Sequence, residues 1–454
     1  MNIAELITEI SHNVWNDYTI GLLLGTGLLL TIVTKFIQVR RFKEGWQWVM
    51  KGAMRTDKSD QELGDISPFQ ALTTALAATV GNGNIAGVAT AIFTGGPGAI
   101  FWMWITAIFG MATKYAEAVL AVKFRKVAED GSMAGGPMYY IEQGIKWKTF
   151  AKILAFAFAL FGAFTALFGT GNMMQSQSMA LAFYSQFNIP YWVTGGIVTL
   201  LVALVIIGGI KRIGAVAEKL VPSMIIIYIG AAIIILLLNI AKIPDALAII
   251  VTHAFTPQSA IGGIAGHTVR EALRYGVRRG VLSNEAGLGS APIAHGAAKT
   301  KDPIRQGLIG MLGTFIDTLA VCTMTALVII ITGEWVSGLD STALTTAAFN
   351  TGLFGFGGIL VPFASFLFGF STLLGWSYYG EQCLEYIFGL RITKGYRVVF
   401  VLLCMAGSVL QGEQLSIVWN IGDIANATMA VPNLIGLVGL SGIVMRITRE
   451  YLKK

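Results

Sequence analysis

Long apolar stretches alternate with short polar segments along most of the chain. A window of about 19 residues marks them near 18–39, 68–94, 97–122, 149–185, 190–210, 214–240, 246–275, 304–332, 356–388, 395–411 and 414–446. A membrane-crossing helix needs about 20 predominantly apolar residues, so the pattern predicts an all-α polytopic membrane protein with about eleven transmembrane helices. One stretch departs from it. Ala75-Leu76-Ala77-Ala78-Thr79-Val80-Gly81-Asn82-Gly83-Asn84-Ile85-Ala86-Gly87 sets two asparagines and three glycines among apolar residues. Unwound backbone in hydrocarbon leaves N–H and C=O groups that cost several kcal/mol each unless protein, water or ligand satisfies them. The segment therefore reads as a discontinuous helix whose main-chain groups bind a solute. The alternative is a glycine-rich packing face on a continuous helix.

Composition agrees with a membrane protein: of 454 residues, 55% are hydrophobic and 13% charged, against about 25% charged in soluble domains. The formal charge of +7 does not point to nucleic acid, because the basic residues fall in alternate loops. They are Arg40, Arg41, Lys43, Lys51, Arg55 and Lys58, then Lys123, Arg125, Lys126, Lys146 and Lys148, then Lys211 and Arg212. Arg278, Arg279, Lys299 and Lys301 follow, then Arg391 and Lys394, and last Arg446, Arg449, Lys453 and Lys454. Opposite loops hold little beyond Lys242. Positive loops stay inside, which predicts a cell-membrane protein with its N-terminus outside, its C-terminus cytoplasmic and an odd number of spans. Cys322, Cys383 and Cys404 all lie in apolar runs and make no disulfide framework. No basic region followed by an apolar core and cleavage site opens the chain, so no removable signal peptide is expected.

The span 18–39 stands apart from the rest. Segment 40–65 carries Trp46, Trp48, Val49 and Met54 between its charges and reads as a helix on the inner surface. The other ten spans divide five and five with opposite starting sides. That predicts one transporter domain over 1–454, with a first inverted repeat at 66–240 and a second at 241–447. Inverted halves call for a second broken helix at the matching position. Gly262-Gly263-Ile264-Ala265-Gly266-His267-Thr268 has the composition for it and is favoured over Gly276 to Gly280.

Three longer motifs carry a resemblance: Gly95-Gly96-Pro97-Gly98-Ala99-Ile100-Phe101-Trp102-Met103-Trp104-Ile105-Thr106-Ala107-Ile108-Phe109-Gly110, then Ser283-Asn284-Glu285-Ala286-Gly287-Leu288-Gly289-Ser290-Ala291-Pro292-Ile293-Ala294-His295, and Phe370-Ser371-Thr372-Leu373-Leu374-Gly375-Trp376. The chain resembles the sodium:alanine symporter family, the alanine or glycine:cation symporters, across roughly 18–447. The resemblance implies the leucine-transporter-type fold, here one extra N-terminal helix and a five-plus-five core. It also implies Na⁺-coupled symport of a small neutral amino acid and no enzymatic activity.

Elementary chemistry leads partly to the same place. An amino-acid carboxylate needs N–H donors, best given by a helix N-terminus, while its ammonium and a bare cation need carbonyl oxygens. Asn82, Gly83 and Asn84 stand where the second half-helix begins, and Ala77, Thr79 and Val80 end the first. By the match to the leucine-transporter break, the Ala77 and Val80 carbonyls face Na⁺, and Thr79, Asn82 and Gly83 face the substrate. Ser371 and Thr372 match the hydroxyl pair of that sodium site. Trp376, one turn after Thr372, either caps the pocket or packs between helices. Asn172 and Gln175, three apart, reach either the carboxylate or another helix. Gly263 and Gly266 join the substrate set through the expected second break.

The remaining intramembrane charges invite other readings. Lys114 and Glu117 are expected to pair, and Glu381 and Glu385 to sit near an inner helix end. Glu285 is read as an inner gate or structural residue. Asp317, Asp423 and His267 either carry protons, which would make the chain an H⁺-coupled transporter of the same fold, or have structural partners. An enzyme is not supported, because His12, His253, His267 and His295 are scattered without metal-ligand spacing.

Overall fold

The computed structural model describes residues 3–54, 62–257 and 268–453. Among these, the regular structure is helical apart from a hairpin of β1 (Lys126–Val127) and β2 (Met133–Ala134) and a single bridge between Ile66 and Ala298. The chain opens with α1 (Ile3–Val14), which the apolar pattern did not predict. Then come α2 (Asp17–Val33), α3 (Ile37–Arg40) and α4 (Phe42–Ala53). The segment expected as a surface helix is thus helical as far as Ala53, and Arg55 and Lys58 lie outside the described residues. α5 (Pro68–Thr79) and α6 (Ala86–Gly95) form the first broken helix, followed by α7 (Ala99–Lys123) and α8 (Pro137–Gly144). The fourth predicted span is α9 (Lys148–Phe168) and α10 (Met173–Phe187), interrupted at Gly169–Asn172. α11 (Tyr191–Ile206) and α12 (Gly209–Leu238) follow.

The second half differs from expectation at its start. Where one span was predicted over 246–275, the structure has α13 (Ile243–Phe255) and α14 (Val269–Asn284). Gly263, Gly266 and His267 lie outside the described residues. α14 runs unbroken through Gly276–Gly280, so that candidate break is corrected. Glycine serves close packing there: a Cβ on Gly276 would lie 2.3 Å from the Ala99 carbonyl oxygen of α7. The break falls instead at 285–290, before α15 (Ala291–Gly296). α14 carries Arg270, Arg274, Arg278 and Arg279, and this polarity made its second half look like loop. Arg278 and Arg279 therefore belong inside the bundle and leave the tally of loop charges.

The remaining elements are α16 (Pro303–Thr314), a π-helical turn over Phe315–Cys322, α17 (Thr323–Ile331), α18 (Ser341–Gly352), α19 (Gly357–Phe388), α20 (Thr393–Val409) and α21 (Gly412–Leu452). Among the described residues, seven helices are long and apolar enough to cross a membrane, or eight with the bent pair α5–α6, and α2 and α11 are shorter apolar helices. The core sits around α7, which packs against both α14 and α16. At one end of the bundle α1 lies along α21, and Trp15 Nε1 donates to the Asp423 carbonyl at 3.2 Å. At the other, α4 packs on α16, with the Arg305 guanidinium 4.6 Å from the Trp48 ring and the Tyr451 hydroxyl bonded to Glu44. These are called the N-terminal and C-terminal ends below.

Candidate substrate and ion site

α5 starts cleanly, on a Ser67–Gln70 capping box with Pro68 in its first turn. It stops because the chain leaves helical geometry at Val80 and Gly81, and α6 resumes at 58° to it. In a continuing helix the Gly81 N–H would bond to the Ala77 carbonyl. It donates instead to Asn84 Oδ1 at 2.9 Å. The Asn82 N–H, which would go to Ala78, is directed at Gln175 Oε1, 3.4 Å away. The break thus releases carbonyls at the end of α5.

Other helices hold the break open. Asn82 Nδ2 donates to Gln175 Oε1 at 3.0 Å, and the Ser365 hydroxyl donates to Asn82 Oδ1 at 2.6 Å. The hydroxyls of Thr325 and Thr345 donate to the Asn84 and Ile85 carbonyls at 2.8 and 2.9 Å. Asn84 Nδ2 donates to Asp317 Oδ1 at 2.7 Å, and Asp317 also accepts from Ser283 and Thr318 at 2.9 and 2.7 Å. A buried carboxylate is tolerable in a membrane core when donors converge on it in this way. The π-helical turn that carries Asp317 widens the helix at this point, as such turns often do at functional sites.

α19 passes the break on another side. The Ser371 hydroxyl lies 3.5 Å from the Val80 carbonyl oxygen, and both Ser371 and Thr372 bond back to Phe368 at 2.9 Å. A Cβ on Gly81 would come within 2.5 Å of Thr372 Oγ1. Only glycine lets the chain approach this hydroxyl so closely. Ala77, Val80, Ser371 and Thr372 are all buried, and the hydroxyls of the last two reach the break at Val80 and Gly81.

The second break is built differently. Glu285, Gly287 and Gly289 all have positive φ, at 57°, 89° and 84°, the left-handed region that glycine tolerates best. Glu285 is buried, bonds to the Ser290 hydroxyl, and accepts from Trp376 Nε1 at 2.9 Å. Trp376 in turn lies against Gly171, between α9 and α10, where a Cβ would sit 2.8 Å from the ring.

Between the two breaks lies a cavity of about 290 Å³. Thr79, Asn82, Gly83, Gln175, Thr372, Trp376 and Glu285 line it, and it extends toward the N-terminal end past Gly87 and Thr90 to Arg279, Asp340, Trp419 and Asp423. Near that end Arg278 forms a buried ion pair with Asp423. On the C-terminal side the two broken helices are tied together. Residues 63–66 precede α5, and residues 296–300 close α15. The Asp65 N–H donates to the Ala297 carbonyl at 2.8 Å, and the Lys299 N–H to the Ile66 carbonyl at 2.7 Å. Arg125 clasps both strands, donating to the carbonyls of Gly296, Ala298, Leu63 and Thr300 at 3.2, 2.5, 3.0 and 2.6 Å. Asp65 accepts from the Met133 N–H at 2.7 Å, and burial pushes its carboxyl above the usual range.

Of the residues singled out from sequence, the structure brings Thr79, Asn82, Gly83, Gln175, Thr372 and Trp376 to the cavity. Ala77, Val80 and Ser371 are buried beside it, and Asn84 points away toward Asp317. Asn172 is directed elsewhere: its amide donates to the Phe400 carbonyl at 2.9 Å and joins α10 to α20. Glu285, placed by the sequence near the inner surface, lies in the cavity wall. Lys114 and Glu117 form no ion pair among the described residues; Glu117 accepts from Asn433 at 2.7 Å, and Lys114 Nζ has no hydrogen-bond partner. Asp423 has its structural partner in Arg278. Sequence reasoning missed Ser283, Thr325, Thr345 and Ser365 around the first break, and Arg125. Single hydroxyls and one loop arginine carry no spacing signal.

These features define a multi-pass membrane transporter that gathers its polar groups where helices are interrupted. The chain belongs to the sodium:alanine symporter family, whose model matches residues 1–454. It is 48% identical over 455 residues to the sodium/alanine symporter AgcS of Methanococcus maripaludis, covering 99% of this chain and 98% of that protein. It is 37% identical over 455 residues to the probable sodium/glutamine symporter GlnT of Bacillus subtilis, covering 100% and 91%. Among solved structures, an Eremococcus coleocola manganese transporter superposes with a TM-score of 0.56 at 16% identity, over 85% of this chain and 83% of that one. MhsT in complex with L-phenylalanine superposes with a TM-score of 0.51 at 12% identity, over 85% and 98%. At these identities the likeness shows the fold alone, the leucine-transporter type expected from the resemblance.

Proposed function

We propose that the chain imports a small neutral amino acid, alanine first and glycine with it, together with Na⁺ across the cell membrane by alternating access. The N-terminus lies outside and the C-terminus in the cytoplasm. Na⁺ is held by the carbonyls of Ala77 and Val80 and the hydroxyls of Ser371 and Thr372. The substrate carboxylate meets the start of α6 at Asn82 and Gly83, with its positive dipole end. The Thr79 carbonyl takes the ammonium. Gln175 positions Asn82, and Trp376 closes the floor of the cavity. The convergence of the α5 break with Ser371 and Thr372 carries this reading. Family membership and the sodium/alanine symporter relative supply the ion and the substrate.

The geometry of the break supports coupling. An ion that bonds to the released carbonyls steadies the break that also holds the amino acid, so each ligand raises the affinity for the other by the same factor. Alternation then requires the ties between 63–66 and 296–300 to open while the N-terminal end closes. Uptake of labelled alanine into proteoliposomes, with and without an inward Na⁺ gradient at constant pH, tests the reading. Uptake that follows the gradient and is lost in Thr372→Ala supports it, and uptake indifferent to Na⁺ sinks it.

One observation favours a second reading, proton coupling. Asp317 is fully buried beside the first break, and among the described residues its side-chain donors Asn84, Ser283 and Thr318 are all neutral. Uptake driven by a pH gradient alone and abolished in Asp317→Asn would select that reading.

A further inference from the structure

A groove of about 1140 Å³ lies on the outside of the bundle at its C-terminal end and shares no residue with the substrate cavity. Three separate parts of the chain build it: Lys35 just after α2, residues 144–150 around the α8–α9 turn, and one face of α21. On α21, Ile435, Gly439, Gly442, Arg446, Arg449 and Lys453 line it in turn. Steps of four, three, four, three and four residues keep them on one helix face. That face changes character along its length. It is apolar or bare from Ile435 to Gly442, about 10 Å, and then basic as far as Lys453.

The bare stretch is not a product of internal packing. Glycine weakens a helix relative to alanine, yet a Cβ on Gly439 or Gly442 meets nothing within 4 Å. The two glycines keep the groove open on its outer side. The opposite wall carries Trp147, 78% exposed, and Phe150 about one turn on. An exposed tryptophan at the end of a spanning helix marks headgroup depth in a bilayer.

The rim of the groove is electrically unbalanced. Lys35, Lys146, Arg446, Arg449 and Lys453 share it with one carboxylate, Glu450. None of the five basic side chains has a hydrogen bond or ion pair among the described residues. Other basic residues are committed: Arg41 pairs with Glu44, Lys126 with Glu142 and Arg397 with Glu381. Unpaired positive charges gathered around one groove repel each other, and an anion seated among them offsets that repulsion. A free anion would leave the apolar stretch bare, and an apolar chain alone would leave the cations unmatched.

We infer that this groove binds an anionic phospholipid, its phosphate among the basic residues and one acyl chain along Ile435, Gly439 and Gly442. The proposed orientation sets this end at the cytoplasmic leaflet, where basic pockets between helices take anionic headgroups. The lipid bridges the end of α2, the α8–α9 turn and α21, three elements that the chain itself leaves apart at the groove.

Native mass spectrometry of the purified protein in detergent tests this. Titration with phosphatidylglycerol or phosphatidylcholine of the same acyl chains reads the dissociation constant of the first bound lipid. Phosphatidylglycerol is expected to bind about tenfold more tightly or better. A basic residue near an anionic headgroup is worth about fivefold. Removing three together, in Arg446→Gln/Arg449→Gln/Lys453→Gln, should therefore weaken phosphatidylglycerol by at least about tenfold and leave phosphatidylcholine unchanged. The same charge removed elsewhere, in Arg212→Gln/Arg391→Gln/Lys394→Gln, should change neither. Gly442→Leu, which fills the groove without touching a charge, should also weaken phosphatidylglycerol about tenfold. Equal loss in both triple variants means diffuse surface charge and overturns the inference. Displacement of the lipid by millimolar inorganic phosphate means an anion site and overturns it too, as does a mass of two chains with no lipid bound. Equal binding of the two lipids by the wild-type protein overturns it with no variant needed.

Discussion

The two broken helices interrupt their hydrogen bonding by opposite means. Around Gly81 the first uses no positive φ; side chains from elsewhere, Gln175, Ser365, Thr325 and Thr345, prop the unwound turn. The second, at 285–290, turns through three left-handed residues and adds local bonds, Glu285 to Ser290 and the Ala286 N–H to Asn284 Oδ1 at 2.9 Å, to outside donors, Trp376 and the Asn433 amide on the Gly287 carbonyl at 2.9 Å. A break propped from outside frees main-chain groups for a ligand and depends on many neighbours. A break turned by its own positive-φ residues offers the cavity one carboxylate tied to Trp376. On the proposed mechanism, the difference puts coupling in the first break, whose bonds to other helices a ligand can exchange.

Substitutions at each break should therefore differ in kind. The largest effect is expected from Asn84→Ala, which strips a donor from Asp317 and the acceptor from the Gly81 N–H together. It should cost about 3 kcal/mol of stability and abolish uptake, read by melting of purified protein and by transport. Thr372→Ala should leave the fold intact and weaken Na⁺ activation of uptake about ten- to a hundredfold, the worth of a hydrogen-bonding group at a charge. Unchanged Na⁺ activation would move the ion elsewhere. Arg125→Lys replaces a five-donor fork by a point charge. It should raise Na⁺ leak in the absence of alanine by about tenfold, the equivalent of 1.4 kcal/mol lost from the closed state.

The positive-φ corner should answer with stability alone. Gly287→Ala forces a Cβ into φ 89°, with Leu23 and Leu434 side-chain carbons at 3.0 and 3.1 Å. A loss of about 1–2 kcal/mol is expected, with the Na⁺ dependence of uptake unaltered; a changed Na⁺ dependence would erase the contrast between the breaks. The smallest effect belongs to Asp65, at the foot of the first broken helix. Its carboxyl is raised by burial, so the folded state holds the proton more tightly than the unfolded chain. Its contribution is present below the ordinary carboxylate range near 3.9 and lost as pH rises through the raised value. Melting of Asp65→Asn should lack that decline.

The first break was legible because its residues are local: glycine and asparagine clustered inside an apolar run mark backbone that leaves the helix and must be satisfied by something else. The Ser371–Thr372 partnership was legible only through family resemblance, since adjacent hydroxyls in a helix usually bond back to their own turn, as both also do here. The break at 285–290 went unseen, and Gly276–Gly280 was offered as an alternative, because hydropathy treats arginine as loop. Arg278 is stable inside the bundle through Asp423, 145 positions away in sequence, and no window spans that distance. α1 escaped for a related reason. It is amphipathic and lies along α21, so its sequence lacks the uniform hydrophobicity that marks a span.

Among the described residues, the hydrogen bonds of the Arg125 clasp all go to main-chain oxygens. Leu63, Gly296, Ala298 and Thr300 present nothing to it that another residue's carbonyl would not present equally. The information in this lock is therefore almost entirely in one side chain and in the path of two backbones. A mutational scan should find the clasp intolerant at Arg125 and indifferent to the side chain at the exposed Leu63, while Gly296, where a Cβ would lie 2.8 Å from the Gly135 Cα, resists change through packing and not through the clasp. A new loop sequence grafted between them would keep the lock if it preserved the path of the chain.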